Sequence, residues 1–299
     1  MNTRSIYYPI QGEDPEKDCL TLCPILDFAN HQETPSHITP VVETALRDPG
    51  SQASTGDYTF KSCADATVEA GQQLYLRYGG HSNRTLFVEY GFVNRFGPEA
   101  ITRGEFHGEV DVQDLVEECI QTLRPTNGGR REASAYRQWL MDTLEEEGYW
   151  GYCVHVYTRR HALIVITTLG SDWTLDSSPP PAHPSYRLMT VLRLVQLATT
   201  PGATEGALQE SETQAWRDVT NGFRDSISDE NERGWRDILL GICERISGRA
   251  QEGLDRATQN LTELDGWQVW MRENVLCLWR EELEVADAVA RSLRAGEVF

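Results

Sequence analysis

The chain has 299 residues, 39% apolar and 24% charged, the composition of a soluble globular protein with room for two cored domains. Its formal charge of −19 argues against direct nucleic-acid binding, which rests on Lys and Arg neutralising phosphates, and favours basic protein partners. No run of about 18 apolar residues could span a membrane, and the polar start MNTRSIYYPIQGEDPEKD lacks a signal-peptide core, so the sequence predicts a cytoplasmic or nuclear protein.

The acidity is uneven. Residues 1–100 carry 7 Lys and Arg against 13 Asp and Glu, and the remainder 20 against 33. Most of the excess therefore falls in the second region, on what read as solvated helix faces. The seven cysteines are scattered. Cys19 and Cys23 form one C-x3-C pair with no second pair at zinc-site spacing, so they read as reduced thiols rather than metal ligands or disulfides.

In chain order, the first hundred residues predict short strands between loops: Ser5–Tyr8, Leu20–Ile25, Tyr58–Ser62 and Gln73–Tyr78. The stretch Arg47–Gly56 reads as a polar loop. Ser82 is placed to cap a short helix that buries Leu86, Phe87 and Tyr90. Beyond Gly97 the period becomes helical, with Val112, Leu115, Val116, Cys119, Ile120 and Leu123 on one face and Tyr136, Trp139, Leu140 and Leu144 on another.

Tyr152–Thr168 is β-branched and aromatic, which predicts extended chain or a hairpin around Arg159–Arg160. Ser177–Pro184 (SSPPPAHP) reads as a stiff linker. A helix then carries Leu188, Val191, Val195 and Ala198 on one side, and Thr199–Glu212 reads as a loop. The end predicts one helix through Trp235, Ile238, Leu239, Ile242 and Ile246 and another through Leu254, Ala257, Leu261 and Leu264. A last helix runs through Leu276, Trp279, Leu283, Ala286, Ala290 and Leu293. The fold class is α+β: a short-stranded β domain over 1–100, then a mostly α-helical domain over 101–299.

Two segments carry chemistry. In Leu22–His37 (LCPILDFANHQETPSH) an apolar strand runs into Asp27-Phe28-Ala29-Asn30-His31 and then a polar, proline-bearing loop. In Val68–Val93 (VEAGQQLYLRYGGHSNRTLFVEYGFV) a turn feeds a strand ending at Tyr78, then Gly79-Gly80, then a helix ending at Tyr90-Gly91-Phe92. Singly, these residues are ordinary: a polar pair ending a strand reads as a turn with a satisfied histidine, and a tyrosine there packs its ring and wets its hydroxyl.

Together they resemble the SET-domain protein-lysine methyltransferases, in the branch of the Rubisco large-subunit methyltransferase and the fungal ribosomal lysine methyltransferases. Five ordered matches carry the likeness: Asp27–His31, Ala70-Gly71-Gln72, Tyr78-Gly79, Ser82-Asn83 and Tyr90-Gly91-Phe92. Asn2-Thr3-Arg4-Ser5 resembles a further family segment, and Pro184–Leu197 and Glu273–Leu293 resemble helices of its C-terminal substrate-binding domain.

The resemblance implies S-adenosylmethionine as cofactor and a basic protein bearing the target lysine as partner, with no direct nucleic acid and no membrane. It implies that Asn30 and His31 hold the cofactor, the latter partly through backbone groups near the adenine, with Arg4 and Asp27 near its polar end. Tyr78 would be the catalytic tyrosine, beside both methyl group and amine. Tyr90 would line the lysine channel, and Phe92 would pack close to the cofactor. Such chemistry needs a neutral amine held in line, so no metal is required. Gln32 and Gln72 depart from the family pattern, and no Gly-x-Gly turn occurs in the sequence. The expectation is a catalytic domain represented by its C-terminal half only, with a catalytically silent interaction module as the alternative.

Overall fold

The computed structural model describes residues 5–7, 20–33, 36–42, 58–62, 67–123, 130–150, 154–159, 162–167, 173–199, 207–259 and 265–299. The chain divides into two compact units, Met1–Asn94 with Val156–Ile164 and Arg95–His155 with Val165–Phe299. Arg4 and the Arg47–Gly56 segment lie outside the described residues.

The first unit holds β1 (Ser5–Tyr7) paired antiparallel with β2 (Leu20–Leu22). It also holds a four-stranded sheet built from β3 (Asn30–His31), β4 (Ile38–Val42), β5 (Tyr58–Ser62) and β6 (Tyr75–Leu76). The order is β3-β6-β4-β5, so β6 is inserted between two strands that precede it in the chain. It runs parallel to both, pairing Asn30 with Tyr75, His31 with Leu76 and Ile38 with Leu76. Helix α1 (Asn83–Tyr90) follows. Leu76, Leu86 and Val93 are its buried apolar residues among those described.

Two expectations change here. The strand predicted to Ile25 stops at Leu22, and a single 3-10 turn at Leu26–Phe28 intervenes before Asn30. That turn is closed by the Asp27 and Ala29 amides, which donate to the Cys23 and Leu26 carbonyls at 3.0 and 2.8 Å. Strand β4 begins at Ile38, just past the loop expected after His31, and no strand was expected there from the sequence. Ile38 of β4 pairs with Leu76 of β6, and Pro40 lies opposite Phe60 of β5.

The second unit opens with α2 (Pro98–Thr102), β7 (Glu109–Asp111), α3 (Gln113–Thr122) and α4 (Arg130–Glu146). Strands β8 (Val154–Arg159) and β9 (Ala162–Thr167), of which Val156–Ile164 is counted with the first unit, pair as the expected hairpin, and within the second unit β10 (Thr174–Asp176) and β11 (His183–Pro184) join β7 in an antiparallel sheet ordered β11-β10-β7. Of the expected linker Ser177–Pro184, only His183–Pro184 is strand, and Ser177–Ala182 connects β10 to β11. Ser177 locks onto Gly108 in both directions, accepting from its amide at 2.7 Å and donating its own to its carbonyl at 3.0 Å, while Ala182 and Pro184 are buried.

Helix α5 (Tyr186–Leu197) buries eight residues, more than the one predicted side, because other elements surround it. Helix α6 (Ala207–Thr220) replaces the latter half of the expected loop. Thr213, Trp216 and Val219 are its buried residues, and the Trp216 indole donates to the Thr190 carbonyl at 2.9 Å. The two helices predicted across 235–264 are one continuous helix as far as described, α7 (Asp229–Gln259).

Gly248 and Gly253 lower helix propensity by about 1 kcal/mol each, yet α7 does not break. Gly253 instead receives the Trp279 indole of α8 (Gly266–Ala295): a Cβ there would lie 2.4 Å from the ring. Helix α8 starts with an Asp265/Gln268 capping box and stops at Gly296 in the left-handed region. A continuous core of Leu, Ile, Val and Trp joins these helices.

Candidate functional site: an aromatic cluster around Tyr78

The backbone ladder from β3 to β6 sets the site. Beyond its two residue pairs, Gln32 N donates to Leu76 O at 3.1 Å and His37 N to Tyr75 O at 2.9 Å. One step further a side chain takes over, and Tyr78 N donates to His31 Nδ1 at 3.1 Å. The Tyr78 hydroxyl reaches back and donates to the Ala29 carbonyl at 3.0 Å. Tyr78 is thus tied at both ends to the segment carrying Asn30 and His31.

Helix α1 supplies the other wall. Ser82 caps it, its hydroxyl accepting from Thr85 N at 3.4 Å, and Leu86 anchors it with no exposed surface. Gly91, at φ 82°, ends it in the left-handed conformation that glycine adopts without strain. The chain then turns back, and Phe92 comes within 5.5 Å of the His31 ring. His31 to Tyr78 is 5.2 Å, Tyr78 to Tyr90 5.0 Å and Tyr90 to Phe92 6.1 Å between centroids, so four rings form one cluster. His81 stands beside it, 6.1 Å from Tyr90.

Asn83 holds the return segment. Its side chain accepts from Asn94 N at 2.6 Å and donates to Asn94 O at 3.1 Å. The Asn94 side chain donates to Glu33 Oε2 at 3.1 Å, and Arg77 lies 3.8 Å from the other oxygen of Glu33. Burial pushes the His31 imidazole below its ordinary pKa of 6.5, against the upward pull of Glu33 and Asn94, while His81 and Arg77 push it lower still. Burial, helped by Glu89, raises the Tyr90 phenol. The arrangement offers a tyrosine oxygen in an aromatic, partly dry surround beside a neutral imidazole.

No family model matches the chain. It is similar to the ribosomal lysine N-methyltransferase set11 of Schizosaccharomyces pombe, at 28% identity over 150 residues, covering 50% of this chain and 29% of that protein. Ribosomal lysine N-methyltransferase 2 of Saccharomyces cerevisiae is 30% identical over 156 residues, covering 50% and 28%. Human SET domain-containing protein 4 is 25% identical over 300 residues, which is 99% of this chain and 52% of that protein. The chain is similar in sequence to the SET-domain lysine methyltransferases.

At most about half the length of these SET-family relatives is spanned. A solved structure of the SET domain of LSMT bound to lysine and AdoHcy aligns over 93% of this chain and 51% of its own, at TM-score 0.42 and 16% identity.

Of the residues expected in the SET site, the structure brings His31, Tyr78, Tyr90 and Phe92 into mutual contact, with Asn30 beside them in β3. The Asn30 side chain is exposed. Asp27 lies exposed on the 3-10 turn, and Arg4 is outside the described residues. Sequence reasoning assigned no role to Glu33, His81, Asn83 or Asn94. Asn83 stood in the sequence as part of the Ser82-Asn83 match, without a role; Glu33 and Asn94 meet across 61 positions, and no local pattern announces that.

Proposed function

We propose that the chain carries the lysine-facing part of an S-adenosylmethionine-dependent protein-lysine N-methyltransferase site, acting on a basic protein. The supporting observation is the Tyr78 hydroxyl, anchored on the Ala29 carbonyl among the rings of His31, Tyr90 and Phe92. The residues present fit one side of the cofactor. The His31 and Phe92 rings offer flat faces and Asn30 an exposed amide, whereas the methionine end needs backbone groups of a glycine-rich turn that this sequence does not contain.

When bound, S-adenosylmethionine supplies an electrophilic methyl group on a sulfonium. The chain's own residues have three tasks. Tyr78 spends its proton on Ala29, which leaves oxygen lone pairs to accept from the lysine amine and orient it. Tyr90, raised by burial, stays a neutral phenol and adds a wall without charge. The rings exclude water, and that desolvation favours the neutral amine over an ammonium of pKa about 10.4. Orientation alone contributes several kcal/mol to such a displacement. The acidic surface attracts a basic substrate, and the helices of residues 101–299 are proposed to present it.

A second reading is a silent interaction module of SET descent. Calorimetric titration with S-adenosylmethionine and labelled-methyl transfer to basic ribosomal proteins separate the two. Lysine methylation that Tyr78→Phe abolishes supports the enzyme; binding of a basic protein with no cofactor uptake and no transfer supports the module.

A further inference from the structure

Strand β6 is two residues long and lies between β3 and β4. So short a strand has little ladder of its own, and each neighbour adds an imidazole to it. On the β4 side stands His37, the residue before Ile38, and it locks onto Tyr75 in both directions. Its amide donates to the Tyr75 carbonyl at 2.9 Å, and its Nδ1 accepts from the Tyr75 amide at 3.3 Å. The two rings lie 5.5 Å apart between centroids. On the β3 side, His31 Nδ1 accepts from the Tyr78 amide at 3.1 Å. Two side chains thus do around β6 what backbone carbonyls do inside a longer ladder.

We propose that His37 is a positioning residue for Tyr78: with His31 it clamps the segment Tyr75–Tyr78 at both ends and so sets the tyrosine backbone. The inference rests on the reading of Tyr78 as the catalytic tyrosine. A ring nitrogen that accepts carries no proton, so both imidazoles are assigned as neutral, with the proton on Nε2. On a charged ring Nδ1–H faces the amide hydrogen, and the bond is lost. The clamp therefore opens as either ring gains a proton.

The groups around the two rings are few. Burial is the largest influence on His31 and favours its neutral form; Glu33 pulls the other way, and His81 and Arg77 side with burial. The Tyr78 and Phe92 rings stand against it. His37 faces the ring of Tyr75, the same residue whose backbone it holds.

Hydrogen exchange at the Tyr75 and Tyr78 amides, followed from about pH 7.5 to about pH 5.5, tests this in the full chain and in its His37→Asn and His37→Ala variants. Asparagine puts Oδ1, an acceptor that takes up no proton, in the place of Nδ1. Alanine removes the acceptor. In His37→Ala the Tyr75 amide should exchange roughly fivefold faster at neutral pH, the equivalent of one hydrogen bond, and the Tyr78 amide should loosen with it. In His37→Asn, protection at Tyr75 should be kept and should no longer fall with pH, while the Tyr78 amide still responds through His31.

Methyl transfer should rank the proteins in the same order. His37→Ala lowers kcat on the order of 10-fold with KM for S-adenosylmethionine within about twofold. His37→Asn restores most of that loss and flattens the acid limb of the pH profile. Equal Tyr75 exchange in all three proteins overturns the inference. So does a Tyr75 amide that keeps its full pH dependence in His37→Asn, or a kcat indifferent to both substitutions. If the unsubstituted chain transfers no methyl group, the reading of Tyr78 fails, and the two amides still decide whether His37 sets its backbone.

Discussion

Replacing Asn83 with Ala tests how the site is held together. The Asn83 side chain is 8% exposed and makes two hydrogen bonds to the Asn94 backbone, at 2.6 and 3.1 Å. The substitution removes both and strands an N–H and a C=O in a half-buried segment. Each bond contributes about 1 kcal/mol net, and stranded groups add a further cost that water reduces here. The sum is about 2–3 kcal/mol, or roughly a 30- to 150-fold rise in local opening.

Asn83→Asp keeps the acceptor, loses the donor and places a negative charge at the start of α1, where the helix dipole favours it. It should cost about half as much, roughly 1 kcal/mol. The assay must be local, because all eight tryptophans lie beyond residue 138 and none reports on the first unit. Hydrogen exchange at the Asn94 amide reads the effect directly. Protection unchanged in Asn83→Ala, or equal losses in the two variants, would refute the reasoning.

Other expectations follow from the same geometry. Tyr78→Phe removes one hydroxyl and its bond to Ala29, so stability should fall by about 1 kcal/mol while methyl transfer falls by about 100-fold or more; transfer at the full rate would refute the role. His31 is held below its ordinary pKa by burial, so the unfolded chain binds the proton more readily. Its contribution to stability is present above about pH 6.5 and lost as pH falls through the lower folded value, which Tyr78 amide exchange at pH 7.5 and 5.5 should reveal. Gly253→Ala would press a Cβ against the Trp279 indole, 2.4 Å away, costing about 1–3 kcal/mol; tryptophan-detected denaturation of the second unit checks it. Leu86→Ala should destabilise the first unit by about 2–5 kcal/mol, read by amide exchange across α1.

What the sequence determined by itself is what local rules and ordered motifs carry. Ser82 and Gly91 bound α1 through cap chemistry that needs only neighbouring residues, and the apolar spacing of α3, α4 and α8 placed their buried faces before any contact was known. The ordered run from Asp27 to Phe92 carried the family resemblance.

Tertiary structure decided where local preference was weak or contradicted. Packing around Trp216 makes a helix of part of a Gly/Thr/Glu-rich stretch, and the Trp279 ring holds α7 straight through Gly253. Pairing with β10 makes a two-residue strand of His183–Pro184 at the end of a proline-rich segment. The Glu33–Asn94 hydrogen bond accompanies the insertion of β6 between β3 and β4. Residues some 60 positions apart meet there through single hydrogen bonds, whose partners have no periodicity and so leave no trace along the chain.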